Sequence, residues 1–243
     1  MTSASTNFEG RIGETQPQRL VEHEVAWQWW LEFEGRWGPS PHCQGVGRRH
    51  ANGRHTSYCS APDTYGGGLQ LGDTASGGGN AQLVNCTFAG NQCHVGSSGL
   101  LLAGQAMGIG TGSQATVYNS IFFWNNSNGF GTPAPVDGAA TIDYTDIEGG
   151  WASGNNKDAD PKFVNLPGGN LTLRLGPPNS PCLDAADYSK LPSDVLDVDG
   201  DGNVTEIIPW DIAWQTRWID QSTVGDSGTG TFTFLDMGAY ELP

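Results

Sequence analysis

The sequence predicts an all-β protein whose short strands stack as a solenoid. Two observations indicate this fold class. A strand-like motif recurs along the chain, and the composition, with 36 glycines, 14 prolines and only 15% charged residues, is typical of short strands joined by tight turns. No stretch of ten or more residues in 60–243 follows the 3.6-residue period of an amphipathic helix.

The repeat is clearest in two segments that align without gaps, 34 positions apart. Residues 81–92 read AQLVNCTFAGNQ and residues 115–126 read ATVYNSIFFWNN, which share the pattern A-x-[LV]-[VY]-N-[CS]-x-F-x-x-N. A weaker third copy, ATIDYTDIEGG, occupies 140–150, 25 positions after the second. Two further runs, GGGLQL at 66–71 and SSGLLLA at 97–103, precede the first two copies. A repeat of this length cannot bury its apolar face alone, so we expect the copies to stack on one another.

Each copy has the character of strands that end at corners. The copies are β-branched and aromatic, alternate approximately, and end in Asn or Gly. Asn91, Asn125 and the glycine clusters suit corners where φ turns positive.

The motifs NCTFAGN and NSIFFWNN, following GGGL, resemble the right-handed parallel β-helix repeats of bacterial secreted and cell-surface proteins. The segments IDYTDIEGGW, DADPKFVN, NSPCLDAAD, DVDGDGN and DMGAYE then follow in an order similar to the C-terminal portion of this repeat-protein group, which shares its fold with pectate lyases and polygalacturonases. The resemblance covers about residues 60–243. It implies a right-handed parallel β-helix over 61–175, a C-terminal cap over 176–243, and an extracellular or cell-surface location.

Residues 1–60 differ from the rest of the chain. They are rich in Trp, Arg, His, Gly and Pro and show neither repeat nor alternation. A disordered segment, a cap and a stretch translated out of frame all remain open, and Trp27, Trp29 and Trp30 are further candidates for a sugar-stacking platform. The chain begins without the apolar core of a signal peptide.

The charge distribution limits the classes of partner. The formal net charge is −15, and residues 57–243, with five basic and twenty acidic side chains, account for all of it. This balance argues against nucleic acid and anionic membranes as partners, and no apolar run approaches the ~18–20 residues of a membrane span. Polysaccharide is the remaining partner that the resemblance favours.

The stretch LDVDGDGN at 196–203 predicts a structural calcium (Ca²⁺) site. Three aspartates have the 1, 3, 5 spacing of a calcium loop, a glycine follows at position 6, and an asparagine offers its carbonyl at position 7. The bidentate glutamate expected at position 12 is absent, because isoleucine stands there. A solvated acidic turn is the alternative. The proposed ligands are Asp197, Asp199, Asp201, Asn203 and Glu206, with Asp211 as a substitute for the last.

A second set of acids suggests glycoside hydrolysis, which needs two carboxyl groups about 5–10 Å apart. The candidates lie on the third copy and just after it: Asp143, Asp146, Glu148, Asp158 and Asp160. Asp146 and Glu148 would project from one face of a strand about 7 Å apart. The alternative is an acidic corner that forms turns, and the G-H-G and R-I-K motifs of polygalacturonase-like enzymes are absent. A lyase would need a base and cations, and residues 57–156 contain no Lys or Arg.

Exposed tryptophans are the remaining candidates for a function. Trp124 and Trp151 lie where coil corners are expected and suit sugar stacking. Trp210, Trp214 and Trp218 recur every fourth residue, which would place them on one helical face that covers the end of the solenoid. The five cysteines show no metal spacing and are expected to be small buried residues, with a Cys86–Cys93 disulfide as the alternative.

These observations favour a non-catalytic extracellular or cell-surface module that displays a surface or contacts extended polysaccharide. The alternative is a carbohydrate-active enzyme, a hydrolase or a lyase, with its groove on the coils. No complete acid and base constellation is visible, and residues 95–243 contain no histidine.

Overall fold

The computed structural model describes residues 31–34, 69–71, 80–91, 104–125, 134–194, 197 and 200–243, and for 31–34 it describes the backbone alone. These residues form twelve strands and one turn of 3-10 helix, which confirms the all-β prediction. The strands are β1 (Leu31–Glu34), β2 (Leu69–Leu71), β3 (Asn80–Val84), β4 (Thr87–Ala89), β5 (Met107–Ile109), β6 (Gln114–Tyr118), β7 (Ile121–Phe123), β8 (Val136–Asp137), β9 (Ala140–Asp143), β10 (Asp146–Ile147), β11 (Phe163–Asn165) and β12 (Asn170–Leu173), and the 3-10 helix is Tyr188–Lys190.

Three consecutive segments each contribute one strand to each of three parallel sheets. The first repeat supplies β2, β3 and β4, the second β5, β6 and β7, and the third β8, β9 and β10. Like strands pair in parallel, giving the sheets β2-β5-β8, β3-β6-β9 and β4-β7-β10. β1 pairs antiparallel with β3 at the edge of the second sheet, and β11 pairs antiparallel with β12.

The strand register follows the sequence alignment of the repeats. Ala81 pairs with Ala115, and Ala115 pairs with Ala140, as the aligned copies predict. The rings of Phe88 and Phe122, equivalent residues of the first two repeats, stack with centroids 4.7 Å apart. Equivalent residues of the three copies therefore lie next to one another in the stacked strands.

The strand in the first preceding run pairs with residues that follow the second run. Leu69–Leu71 pairs with Met107–Ile109, and not with the SSGLLLA run at 97–103, which lies outside the described residues. Burial accounts for this register, because Leu69, Leu71, Met107 and Ile109 are all buried and share one core.

Side chains that point between the sheets form the core of the repeats. Leu83, Val117 and Ile142 occupy equivalent positions of β3, β6 and β9 and are fully or almost fully buried. Phe122 and Ile147 fill the same core from the third sheet. Burial of each such side chain stabilises the folded state by roughly 1.5–3 kcal/mol.

Buried asparagines hold the corners between the second and third sheets. Asn85 and Asn119 have φ of +53° and +51°, the left-handed conformation that asparagine tolerates better than most residues. The Asn119 side chain donates to Asn85 Oδ1 at 3.4 Å. A second pair lies after the third sheet, where Asn91 donates its side-chain amide to Asn125 Oδ1 at 2.8 Å.

The C-terminal segment packs along the side of the repeats and builds a second core. Leu183, Leu235 and Met237 join Val84 and Ile121 in one buried cluster. Asn119 fixes this segment at two points, because its Oδ1 accepts from Asp187 N at 2.8 Å and its Nδ2 donates to Asp187 O at 2.9 Å.

The helix predicted for Trp210, Trp214 and Trp218 does not form. Residues 210–218 make a turn closed by a bridge between Trp210 and Thr216. Asp211 sets this turn, because its Oδ1 accepts from the backbone amide of Gln215 at 2.8 Å and of Ala213 at 2.8 Å. A side chain that caps its own backbone competes with a helix, so the three tryptophans do not share a helical face.

Candidate functional site

Two of the five candidate carboxylates are built into the packing of the third repeat. Asp143 Oδ1 accepts from the backbone and side-chain amides of Asn155, at 2.6 and 3.2 Å. Asp146 is buried, and its two oxygens accept from Ala159 N and from the Cys182 thiol, each at 3.0 Å. Burial raises the pKa of Asp146. The carboxylate of Asp146 is therefore closed to a substrate, whereas Asp143 is half-buried.

Asp160 lies apart from the other candidates. Lys162 Nζ is 2.7 Å from Asp160 Oδ2. Burial acts to raise the pKa of Asp160, but the hydrogen bonds and charge of Lys162 and the charge of Arg174 lower it overall. These three side chains line a shallow cleft of about 360 Å³ together with the rings of Phe123 and Phe163.

Glu148 and Asp158 come together beside an exposed tryptophan. Glu148 Oε2 accepts from the backbone amide of Trp124 at 2.8 Å, and Asp158 Oδ1 accepts from the backbone amide of Gly149 at 3.0 Å. Burial raises the pKa of Glu148, and the nearby charge of Asp158 adds to the rise. The Trp124 side chain is 40% exposed. We call Trp124, Glu148 and Asp158 the Trp124 surface.

Trp124 has an unusual backbone conformation. Its φ is +56°, while the residues at the same corner of the neighbouring repeats are glycines, Gly90 with φ of +69° and Gly149 with φ of +88°. A bulky residue in the left-handed region is a conformational outlier, at a cost of roughly 1–2 kcal/mol. The aligned motifs contain the signal for this position, since FAGN in the first copy becomes FFWN in the second.

The other tryptophans differ in exposure. Trp151 is half-buried against the core of the repeats. Trp218 is packed against Tyr188 and Phe232, with ring centroids 5.9 and 5.3 Å away. Trp214 is 57% exposed and, like Trp124, has a positive φ, of +60°.

The described part of the acidic loop caps its own turns. Asp197 Oδ1 accepts from Gly202 N at 3.0 Å, and Asp201 Oδ1 accepts from Asn203 N at 2.7 Å. The Asn203 side-chain amide donates to Glu206 Oε2 at 2.8 Å. Asp199 lies outside the described residues. Calcium binding at this loop therefore stays a prediction. Asp211, the substitute ligand, is buried, and besides capping the turn it accepts from Glu241 N at 2.9 Å.

A different acidic cluster forms where sequence spacing gives no signal. Asp184, Asp220 and Asp226 each place a carboxylate oxygen within 4.8 Å of the others. Burial raises the pKa of Asp184 to about 6. The backbone amide of Gln221 lowers this pKa, whereas the charges of Asp226 and Asp220 raise it further. The three residues come from two segments of the C-terminal region that lie far apart in the sequence, so no local motif could have revealed them.

The described cysteines are structural. The thiol of Cys86 donates to Val84 O at 3.4 Å and belongs to no disulfide, so Cys86 is not joined to Cys93, which lies outside the described residues. Burial raises the pKa of Cys86 to about 12. Cys182 is a free thiol and is buried. Cys182 is the small buried residue that the sequence predicts, whereas Cys86 is half-buried.

None of the described residues belongs to a helix with the length and apolar character needed to cross a membrane. No family model, curated protein or solved structure matches this chain.

Proposed function

We propose that this chain is a right-handed parallel β-helix module that contacts extended polysaccharide without catalysis, outside the cell or at its surface. The β-helix assignment is supported by the three parallel sheets, each of which receives one strand from every repeat. Stacked coils of this kind present a long wall of short strands, which suits a linear polymer.

The observation that carries the proposal is the left-handed conformation of Trp124 at a glycine corner. Strained residues persist where the surrounding structure holds them, and they concentrate at functional sites. Glycine occupies the same corner in the flanking repeats, so the fold itself does not require a tryptophan there. A tryptophan that is 40% exposed offers an aromatic face for the apolar side of a sugar ring.

The charges of the surface favour a neutral polysaccharide. Glu148 contacts Trp124, Asp158 lies near Glu148, and carboxylate oxygens accept hydrogen bonds from sugar hydroxyl groups. An anionic polymer would instead meet two carboxylates on a chain whose net charge is −15. The ligand class is therefore an uncharged extended glycan.

The test is affinity electrophoresis of the full chain against a panel of soluble neutral polysaccharides, with polygalacturonate as the anionic comparison. We expect at least one neutral polymer to retard the parent, and Trp124→Ala to weaken that binding at least about 10-fold. Trp214→Ala is the matched control, because it also removes an exposed tryptophan with positive φ. Absence of retardation by every polymer, or equal loss in both variants, would contradict the proposal.

A hydrolase is the second candidate, and a single observation favours it. The pKa of Glu148 is raised by burial and by Asp158, as in a general acid beside a second carboxylate. Release of reducing ends from each retarding polymer separates the two functions. Glu148→Gln keeps one oxygen that can accept from Trp124 N or from a sugar hydroxyl group, so a binding module should lose little affinity, whereas a hydrolase should lose at least about 100-fold in rate.

A further inference from the structure

We propose that Asp184, Asp220 and Asp226 bind a calcium ion that ties the loop at 220–228 to the segment around Asp184. One carboxylate oxygen of each residue lies within 4.8 Å of the others, a span that two Ca–O bonds of about 2.4 Å can bridge. This cluster is separate from the Trp124 surface, and the inference does not depend on the proposed function.

The buried carboxylate of Asp184 points to a missing partner. The residue is 0% exposed, and neither of its buried carboxylate oxygens makes a hydrogen bond of good geometry, although the backbone amide of Gln221 approaches. An ionised carboxylate without a partner is costly to bury, so it normally meets a cation, hydrogen-bond donors or a proton. Here the neighbouring side chains are two further carboxylates, which make the site more negative.

No described side chain supplies the missing positive charge. The groups that shift the pKa of Asp184 are the backbone amide of Gln221 and the carboxylates of Asp226 and Asp220, and none of these is a cation. The ammonium group of Lys157 approaches the loop, but it donates to Pro181 O and to Ser227 Oγ. A bound ion would satisfy all three carboxylates at once.

The backbone holds Asp184 in place for such a role. Its amide donates to Asp236 Oδ1 at 2.9 Å, and its carbonyl accepts from Ser227 N at 2.7 Å and from Gly228 N at 2.9 Å. Its φ of +48° is left-handed, a strained conformation for a residue other than glycine. Two segments thus fix the backbone of the residue, while its carboxylate has no cationic partner among the groups that shift its pKa.

The approach of the 220–228 loop is equally fixed. A side chain at Gly228 would place its Cβ 2.4 Å from Ala186 O, so only glycine permits this contact. Asp226 keeps one oxygen on Thr233, whose hydroxyl donates to its Oδ2 at 2.5 Å. The cluster offers oxygen ligands alone, the donor set that calcium prefers over zinc or copper.

The experiment compares thermal unfolding of the full chain, freed of metal by a chelator, with and without CaCl₂. NaCl at matched ionic strength controls for screening of the net charge of −15. We expect the midpoint to rise with free Ca²⁺ and calorimetric titration with Ca²⁺ to show binding that Asp220→Asn weakens at least 10-fold. Asp160→Asn, an exposed aspartate that pairs with Lys162 and lies outside both acidic clusters, is the matched control and keeps the parent's response to Ca²⁺.

Asp184→Asn gives a result that a purely structural aspartate would not. In chelator this variant should melt above the parent, because one of three repelling charges is gone, yet its midpoint should no longer rise with Ca²⁺. If it fails to fold, the exposed Asp220 and its Asn variant decide the question. A parent that Ca²⁺ neither binds nor stabilises, an undiminished response in Asp220→Asn, or an equally strong response to Mg²⁺ would overturn the assignment.

Discussion

Replacing Asn119 by alanine should loosen the C-terminal segment from the repeats. The Asn119 side chain is fully buried and bonds both backbone groups of Asp187, at 2.8 and 2.9 Å. Asn119→Ala leaves the N–H of Asp187 without a partner, at a cost of about 1–3 kcal/mol, and removes one of two hydrogen bonds to the carbonyl of Asp187, which still accepts from Lys190 N at 3.1 Å, at about 0.5–1.5 kcal/mol. Alanine at the φ of +51° adds about 1 kcal/mol. The expected loss is about 2.5–5.5 kcal/mol in the free energy of unfolding, a large part of the stability of a typical domain.

Urea unfolding followed by circular dichroism measures this loss. Asn119→Gly removes the same hydrogen bonds but tolerates the left-handed conformation, so it should cost about 1 kcal/mol less than the alanine variant. Asn165→Ala is the control, because Asn165 is exposed and bonds only the nearby Gly168 N, at 3.0 Å. The reasoning fails if Asn119→Ala costs less than about 1 kcal/mol, or no more than Asn165→Ala.

Two further predictions test other contacts. Gly238→Ala should cost about 2–5 kcal/mol in urea unfolding, because its φ is +90° and a Cβ would lie 2.8 Å from both Ile121 Cδ1 and Thr87 Oγ1. Gly202→Ala is the comparison, because its φ is +87° and the space around it is open, so it should lose only the about 1–2 kcal/mol that the left-handed backbone costs. Equal losses in the two variants would contradict a steric clash at Gly238. Burial raises the pKa of Asp146, so the folded state binds the extra proton, and this group favours folding less as the pH rises above the unfolded pKa of about 4. Asp146→Asn should therefore gain stability relative to the parent between pH 4 and pH 7, and a constant difference across this range would argue against the shift.

The repeats were predictable because stacking places like residues side by side. The alignment of Ala81 with Ala115 and of Ala115 with Ala140 in the sequence became the strand register of the structure. The pairing of Leu69 with Met107 was missed, because these two strands are only three residues long and have no identical residues that would align them.

The C-terminal region escaped prediction for a related reason. It packs sideways on the repeats, so its contacts follow no period. The spacing of the tryptophans at 210–218 is that of one helical face, but Asp211 caps the backbone there and a turn forms instead. Asp184 and Asp220 meet only through the tertiary fold, whereas the aspartates of LDVDGDGN were conspicuous because they are close in sequence.

The central claim is that the repeats stack in parallel and in register. Gln82 pairs with Thr116, and Thr116 pairs with Thr141, so these side chains form one ladder across three strands. Adjacent parallel strands lie about 4.8 Å apart, within the reach of a disulfide, whereas alternate strands are about 10 Å apart and beyond it.

The most direct measurement is therefore peptide mapping by mass spectrometry after mild oxidation of two double variants. Gln82→Cys with Thr116→Cys should form a disulfide within one folded chain, and Gln82→Cys with Thr141→Cys should not. No disulfide in the first variant, or equal yields in both, would contradict the stacked, in-register repeats on which the account depends.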